Sequence, residues 1–380
     1  MKIAQVSPYD FTWPGGVTEH ISHLSHQLIK MGHQVKILAP YSPGRASGLD
    51  PNVVPIGRSV PIPAGGSIAR ISLSPWIYRQ VRQILREEQF DVVHLHEPMA
   101  PYLNLAVLQC SNAVNIGTFH AYHGSTRWYF WSKSILKYWF KKLDGHIAVS
   151  PAATSHVKPF FPVDYEVIPN GIDLGNFDGR AEPIPQYRDD KLNILFVGRM
   201  EKRKGLKYLL EAFGQAKWEH PNIRLIVVGP GSLDKYCQRV ISERNLQDVV
   251  FAGAVDSNTL FRYYRMADIF CTPATGKESF GIVLLEAMAA SKPILATSIL
   301  GYSSIIKHGH QGYLVPPRDV NALAESLGIL VKNPVLRKEM GARGRQAVDK
   351  YKWETVAQQV LDYYSTITEM SYGSKGSRQK

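Results

Sequence analysis

Apolar residues along the chain alternate between short runs and one-sided periodic stretches. An apolar run at residues 3–6 predicts a strand, and a Trp-Pro-Gly-Gly turn follows at residues 13–16. From Val17 to Met31, apolar residues recur at spacings of four and three, which predicts an amphipathic helix that Gly32 ends. The first forty residues therefore predict strand, turn, helix and strand.

The same alternation continues to the carboxyl terminus. Further strands are predicted at residues 35–39, 92–95, 116–119, 147–149 and 167–169, and then at 192–198, 225–228, 249–251, 269–272 and 294–296. Helices are predicted at 205–217, at 280–290 and from Trp353 to Ile367, where apolar residues space as three and four. Strands alternating with helices predict an α/β fold of two Rossmann-like domains that face a deep interdomain crevice.

The loop-rich stretch at residues 173–190, with its prolines and mixed charges, predicts a linker between the two domains. We therefore expect an acceptor-binding domain at 1–180 and a nucleotide-sugar-binding domain at 191–350. The final helix, 351–372, is expected to cross back to the amino-terminal domain. The polar, basic residues 373–380 are expected to form a flexible tail.

Charge changes this picture more than composition does. The 380 residues carry 44 Lys+Arg against 32 Asp+Glu, a formal charge of +12 that favours an anionic partner. The three cysteines lie far apart, which excludes a disulfide framework and a C-x-x-C zinc site. The first apolar stretch is too short for a signal peptide, so a cytoplasmic location is expected.

Two loops that follow predicted strands suit phosphate binding. Gly15 and Gly16 precede a helix, whose exposed N–H groups attract phosphate, although an ordinary tight turn would have the same sequence. The loop at 198–205 has four Lys or Arg among eight residues. There Arg199 and Lys204 are candidates to clamp a pyrophosphate, the alternative being a solvated basic loop.

Two glutamates flank the start of the helix predicted at 280–290. Eight helical residues rise about 12 Å, whereas the nucleophile and acid of a retaining glycosidase lie about 5 Å apart. Glu278 and Glu286 are therefore better suited to accept hydrogen bonds from two separate sets of hydroxyls on one long ligand. The alternative is that Glu278 interacts only with the helix dipole and that Glu286 is an ordinary surface residue. Backbone N–H groups at the helix N-terminus suit phosphate; they belong to Ser279, Phe280, Gly281 and Ile282.

Together these motifs resemble glycosyltransferase family 4, whose members are retaining enzymes with the GT-B fold. The matching segments are Pro14-Gly15-Gly16, Pro169-Asn170-Gly171-Ile172-Asp173, Gly198-Arg199 with Lys204-Gly205, and Glu278 followed after seven residues by Glu286. The resemblance implies that Gly16, Arg199 and Lys204 hold a donor diphosphate. It also implies that Glu278 binds the donor sugar and Glu286 the ribose. By its position, Val255 is expected near the base.

A narrower resemblance is carried by Pro8-Tyr9 and by residues 14–17, 60–63, 66–70, 90–98, 118–120 and 278–283. It covers most of the chain and points to family members that mannosylate phosphatidylinositol. It implies GDP-mannose as donor and phosphatidylinositol as acceptor. Tyr9, Ser67, Arg70 and His120 would line the acceptor side, with His120 important for transfer. Catalytic roles are thus implied for His120, Arg199, Lys204 and Glu278. Another nucleotide sugar such as UDP-glucose, or another lipid or glycan acceptor, remains an alternative, as does a non-catalytic anion-binding protein.

No Asp-x-Asp motif is present, so neither a metal nor a cofactor is expected, and cations with a helix N-terminus would stabilise the departing diphosphate. Two segments suit an anionic lipid surface, which predicts a peripheral protein at the inner face of the cell membrane. The alternative for the aromatic segment is a place in the core, and the alternative for the arginine segment is an ordinary amphipathic surface helix. Candidate membrane residues are Arg79, Arg82 and Arg86 in one segment, and Trp128, Trp131, Lys137 and Lys141 in the other.

Overall fold

A computed structural model describes residues 1–45, 49–64, 67–74, 76–121, 126–177, 182 and 184–376, without the side chains at 63, 64, 67, 126–129, 131 and 372–376. The chain forms two compact units. Unit 1 contains residues 1–171 and 353–380, and unit 2 contains residues 172–352. Within the described part of the chain, no helix combines the length and apolar content that crossing a bilayer requires.

Unit 1 is built on one sheet with helices on both faces. Its elements are β1 (Lys2–Val6), α1 (Gly16–Lys30), β2 (Gln34–Tyr41), β3 (Val53–Ala64), β4 (Ser67–Ser72), α2 (Ile77–Glu88), β5 (Val92–His96), α3 (Leu103–Cys110), β6 (Val114–Phe119), α4 (Thr126–Phe140), β7 (Gly145–Ala148), α5 (Pro151–Val157) and β8 (Glu166–Val167). Among these described strands the order is β4-β3-β2-β1-β5-β6-β7-β8. Neighbours on β1 enter different apolar clusters, Ile3 on one face and Ala4 on the other, as a parallel sheet covered on both faces requires.

Unit 2 repeats this design with a smaller sheet. Its elements are β9 (Leu192–Val197), α6 (Leu206–Glu219), β10 (Ile223–Val228), α7 (Lys235–Glu243), β11 (Val249–Gly253), α8 (Ser257–Met266), β12 (Ile269–Thr272), α9 (Ile282–Ala289), β13 (Ile294–Thr297), α10 (Leu300–Ser303), β14 (Gly312–Val315), α11 (Val320–Lys332) and α12 (Pro334–Ala347). The described strands are ordered β11-β10-β9-β12-β13-β14, with parallel pairing. Both units are thus Rossmann-like.

The last helix, α13 (Trp353–Gly376), belongs to unit 1. Its apolar face, including Trp353 and Tyr364, packs into the cluster that α1 and the sheet form. The boundary between the units lies at Gly171 and Ile172, ahead of the linker predicted at 173–190. The reason is local pairing: the N–H of Ile172 donates to the carbonyl of Tyr351 at 2.8 Å, so both connecting segments join unit 2 at that point.

The structure contains one hairpin that the sequence pattern does not predict, and it corrects the start of one predicted helix. The hairpin of β3 and β4 was not predicted, because three prolines in β3 disfavour a strand. The helix predicted at 280–290 begins only at Ile282. Gly281 has a φ of +92°, which ends the loop in a left-handed conformation, and a Cβ there would lie 2.6 Å from the ring of Tyr302.

Candidate active site

Unit 1 gathers histidines at the carboxyl ends of neighbouring strands. His96 ends β5, and His120 follows β6, the adjacent parallel strand. Nδ1 of His96 lies 2.9 Å from Nε2 of His120. Burial is the main cause that lowers the pKa of both imidazoles well below their usual value, so both are neutral near pH 7. His120, a predicted catalytic residue, is only 8% exposed.

Glu97 holds the backbone that carries His120. Its Oε1 accepts hydrogen bonds from the N–H groups of His120, at 2.7 Å, and Ala121, at 2.6 Å. Glu97 itself has a φ of +49°, a strained value for a residue with a side chain. Burial raises the pKa of Glu97 to about 7, although those two hydrogen bonds oppose the rise. Sequence reasoning assigned no role to this residue, although it lies in the His-Glu-Pro segment at 96–98.

A third imidazole completes the cluster. Nδ1 of His20, on α1, lies 2.9 Å from Oδ1 of Asn170, and its ring contacts that of His120 at 4.7 Å between centroids. His20, His96 and His120 each offer one ring nitrogen within 4.8 Å of the others, a spacing that could hold a metal ion. The hydrogen bond between His96 and His120 already accounts for one of these contacts.

Two other predicted acceptor residues, Tyr9 and Arg70, lie at the loop before α1. The guanidinium of Arg70 stacks on the Trp13 ring at 3.6 Å. Burial, followed by the charge of Glu97, raises the pKa of Tyr9. Ser67 begins β4, but its side chain lies outside the described residues.

The backbone conformation at the start of α1 does not require glycine at positions 15 and 16. Gly15 has a φ of −171°, an extended value that any residue adopts. A Cβ on Gly16 would meet nothing within 4 Å, so the space beside it is open. Among the described residues, α1 has no side-chain cap at its N-cap position, Gly15. Open space beside uncapped donors is what the predicted phosphate contact needs.

Unit 2 places the basic loop after β9 against Glu278. Nζ of Lys204 lies 2.8 Å from Oε1 of Glu278, and Nη1 of Arg203 contacts the same oxygen. Arg203 also donates through Nε to Glu201 at 2.7 Å. Arg199 pairs with the other oxygen of Glu201 at 3.0 Å and is half exposed. The structure thus brings predicted Lys204 and Glu278 together and adds Arg203, which sequence reasoning did not single out among four basic neighbours.

Gly205 fixes the position of Lys204. Its φ is +76°, and a Cβ there would lie 1.9 Å from the carbonyl oxygen of Pro273. The basic loop can therefore lie directly against the chain that follows β12 only with glycine at this position. That chain continues to Glu278, which is 9% exposed.

The segment from Glu278 leads into α9, where the predicted N–H donors are found. Ser279, Phe280 and Gly281 precede the helix and Ile282 is its first residue; no side-chain cap is made at Gly281. Phe280 is buried in the core of unit 2 and anchors the segment. The uncapped N-terminus carries the partial positive charge of the helix dipole.

Glu286 is held by a buried tyrosine. The hydroxyl of Tyr264 donates to Oε2 of Glu286 at 2.6 Å. Burial raises the pKa of Glu286, and Tyr264 and Lys204 oppose the rise. The structure therefore excludes the alternative of Glu286 as an ordinary surface residue. Val255 is partly buried against the core of unit 2, just before α8.

The two predicted membrane segments form helices on unit 1. On α2, Ile77 and Val81 face the core, while Arg79, Arg82 and Arg86 are exposed. On α4, exposed Lys137 is followed by exposed Lys141 just beyond the helix, and Phe130, Ile135 and Tyr138 are exposed as well. The side chains of Trp128 and Trp131 lie outside the described residues.

Comparisons with known proteins cover nearly the whole chain. A family model described as "Glycosyltransferase Family 4" matches residues 14–176, and one described as "Glycosyl transferases group 1" matches residues 180–347. The chain is 36% identical to the phosphatidyl-myo-inositol mannosyltransferase of Mycobacterium leprae over 99% of both chains. It is 31% identical to the protein of that name from Propionibacterium freudenreichii, over 100% of this chain and 99% of the relative.

Solved structures share the fold at low sequence identity. Sucrose-phosphate synthase from Thermosynechococcus elongatus aligns with a TM-score of 0.77 at 21% identity, over 97% of this chain and 99% of the other. A glycosyltransferase from Rickettsia africae aligns with a TM-score of 0.78 at 22% identity, over 96% and 98%. These likenesses concern the fold alone.

Proposed function

Because the chain belongs to glycosyltransferase family 4, we propose that it transfers mannose from GDP-mannose to phosphatidylinositol or a related lipid at a membrane surface. Family membership confirms the predicted glycosyltransferase activity and the GT-B fold. The observation that carries the finer proposal is the 36% identity, over almost all of both chains, to relatives named for this mannosyl transfer. The site geometry supports it as follows.

In the proposed donor site, Glu278 holds Lys204 and Arg203 ready for a diphosphate. Three cations, Lys204, Arg203 and Arg199, pair with only two carboxylates, Glu278 and Glu201, so the cluster retains net positive charge that an anionic ligand can neutralise. Together with the uncapped start of α9, they provide donors where negative charge grows on the leaving group. Arg199 is exposed and can turn toward the same ligand. Glu286, held by Tyr264, would accept from ribose hydroxyls.

The proposed reaction proceeds with retention at the anomeric carbon. The bond from that carbon to the diphosphate oxygen breaks, and a bond to the acceptor hydroxyl oxygen forms on the same face. The acceptor hydroxyl is first oriented by a hydrogen bond to His120. As the new bond forms, it turns its proton to an oxygen of the departing diphosphate, which takes it up, so charge and atoms balance. Lys204, Arg203 and the α9 N–H groups stabilise the diphosphate throughout. No resident metal or cofactor has a part in this proposal.

In the proposed acceptor site, His120 contacts the hydroxyl that receives the sugar, with Tyr9, Ser67 and Arg70 nearby. Exposed arginines on α2 and the basic aromatic surface of α4 would hold unit 1 on an anionic bilayer. Sedimentation with phosphatidylinositol vesicles at low salt, reversed at high salt, tests this attachment. Equal recovery with neutral vesicles would contradict it.

The donor proposal is tested by calorimetric binding of GDP-mannose and UDP-glucose. We expect GDP-mannose to bind and Lys204→Met to weaken binding at least about 10-fold, since it removes a charge-assisted contact. Lys338→Met, an exposed position on α12, is the matched control and should bind normally. Preference for UDP-glucose would redirect the proposal to another sugar donor.

A further inference from the structure

A chain of hydrogen bonds runs through the interior of unit 1 and ends at His120. It joins three neighbouring strands to the carboxyl-terminal helix, and its inner members are almost completely buried. The members are Gln5 on β1, His94 and His96 on β5, Thr118 on β6, His120 after β6, and Tyr364 on α13. We call it the buried relay. The proposed reaction gave a role only to His120.

The amide of Gln5 sets the direction of the bonds that lead to His120. Its Oε1 lies 2.8 Å from Nε2 of His96. An amide oxygen only accepts, so Nε2 of His96 carries the proton. The His96 ring is fully buried, and burial disfavours a second proton that would make it charged, so Nδ1 carries a lone pair. Nε2 of His120, 2.9 Å away, must then donate to it.

The opposite tautomer of His120 would place two lone pairs against each other. With its proton on Nδ1, Nε2 of His120 would face the bare Nδ1 of His96 at 2.9 Å without a hydrogen between them. A buried pair of this kind loses its hydrogen bond and repels. The oxygen of Gln5 therefore determines which nitrogen of His120 is bare, although the described hydrogen bonds of Gln5 go to His96 and Tyr364 and not to His120.

The other end of the buried relay is consistent with this direction. Nε2 of Gln5 donates to the hydroxyl of Tyr364 at 3.2 Å, and that hydroxyl can donate to Nδ1 of His94 at 2.6 Å. Nε2 of His94 then donates to Oγ1 of Thr118, also at 2.6 Å. Every bond has one donor and one acceptor. Tyr364, on the last helix of the chain, is thus hydrogen-bonded to the amide of Gln5.

We propose that Gln5 is a positioning residue that holds His120 in the tautomer protonated on Nε2, so that Nδ1 is free to accept from the acceptor hydroxyl. The inference rests on the proposed function only for the identity of what Nδ1 accepts. In the described residues no hydrogen bond reaches Nδ1 of His120, while Nε2 is committed to His96. The tautomer can therefore be tested without any activity measurement.

The direct test is nitrogen NMR of the full-length protein with isotope-labelled histidine. The protein has 13 histidines, and the spectrum of His120→Gln identifies the signals of this ring by their loss. We expect the proton of His120 on Nε2 and a bare Nδ1 in the unliganded enzyme near neutral pH. A proton on Nδ1, or a protonated ring, overturns the proposal.

Variants at Gln5 separate positioning from simple packing. Gln5→Met keeps the volume but removes the acceptor, so His120 should sample both tautomers and kcat should fall about 10-fold or more, with KM for the nucleotide sugar unchanged. Gln5→Glu keeps an acceptor for His96 and should restore the tautomer and most of kcat. Gln238→Met, an exposed position on α7, is the matched control.

The outcomes distinguish this inference from the proposed function. A His120→Gln enzyme with normal transfer would overturn the acceptor role of His120 and leave the tautomer result intact. Normal kcat and an unchanged tautomer in folded Gln5→Met would overturn the positioning role. If Gln5→Met does not fold, the spectrum of the unaltered protein still decides the tautomer.

Discussion

Mild acid should destabilise unit 1 selectively, because its buried histidines are neutral in the folded state. Burial lowers the pKa of His20 to about 4, of His94 to about 3 and of His146 to about 4. All three lie in unit 1. Below about pH 6.5, the ordinary pKa of histidine, these imidazoles take up protons in the unfolded chain but not in the folded chain. The stability contributed above about pH 6.5 is therefore lost as pH falls toward 4.

The magnitude follows from linkage. Between about pH 7 and pH 5, each of the three shifts lowers the free energy of unfolding by about 2 kcal/mol. Glu97 acts in the opposite direction, because its pKa of about 7 lets the folded state gain a proton first, which returns about 2 kcal/mol. The net loss from these four groups is about 3 to 4 kcal/mol, and His96 and His120 add to it.

Urea unfolding followed by tryptophan fluorescence measures this loss, since six of the seven tryptophans lie in unit 1 and Trp218 alone lies in unit 2. Hydrogen exchange resolved by peptide gives the stability of each unit separately.

His146→Phe is the matched variant: Nε2 of His146 has no partner among the described residues and its ring stacks on Phe140. It should recover about 2 kcal/mol at pH 5. If unit 2 unfolds first, or if His146→Phe loses as much stability as the unaltered protein, the buried histidines are not the cause of the acid sensitivity.

Three further predictions concern the proposed ligand sites. Arg203→Met should lower kcat/KM for the nucleotide sugar at least about 10-fold, more than Arg199→Met, because Arg203 contacts Glu278 while Arg199 is half exposed; equal losses would contradict this ranking. Tyr264→Phe removes the donor to Glu286 and should raise the donor KM about 10-fold in steady-state assays, whereas an unchanged KM would remove Glu286 from the donor site. Replacing the three α2 arginines by serine should weaken sedimentation with phosphatidylinositol vesicles while donor binding stays normal, and undiminished sedimentation would exclude α2 from the contact; they are Arg79, Arg82 and Arg86.

The sequence predicted elements where hydrophobic spacing is strong. The periodicity from Val17 to Met31 matches α1, and the spacing after Trp353 matches α13. It missed β3 because its strand pairing, first with β2 and then with β4, is a tertiary property that overrides the local effect of proline. Strong local patterns thus identified helices, whereas edge pairing required the folded chain.

The residues of the candidate site also divide into those that local motifs predict and those that only the folded chain identifies. Lys204 and Glu278 were predicted from motifs, and the structure places them 2.8 Å apart. Arg203 could not be ranked above its basic neighbours, since only packing shows which cation meets Glu278. Gln5 lies within an apolar run and looked like one polar position of a strand. Its role depends on His96, 91 residues away, which no local pattern reveals.

The most direct test of the account is transfer of radiolabelled mannose from GDP-mannose to phosphatidylinositol in vesicles, with the product's anomeric configuration determined by NMR. We expect a labelled mannosyl phosphatidylinositol with the α configuration, absent in Glu278→Ala and present in Lys338→Met. Transfer from UDP-glucose only, a β-linked product, or full activity in Glu278→Ala would contradict it.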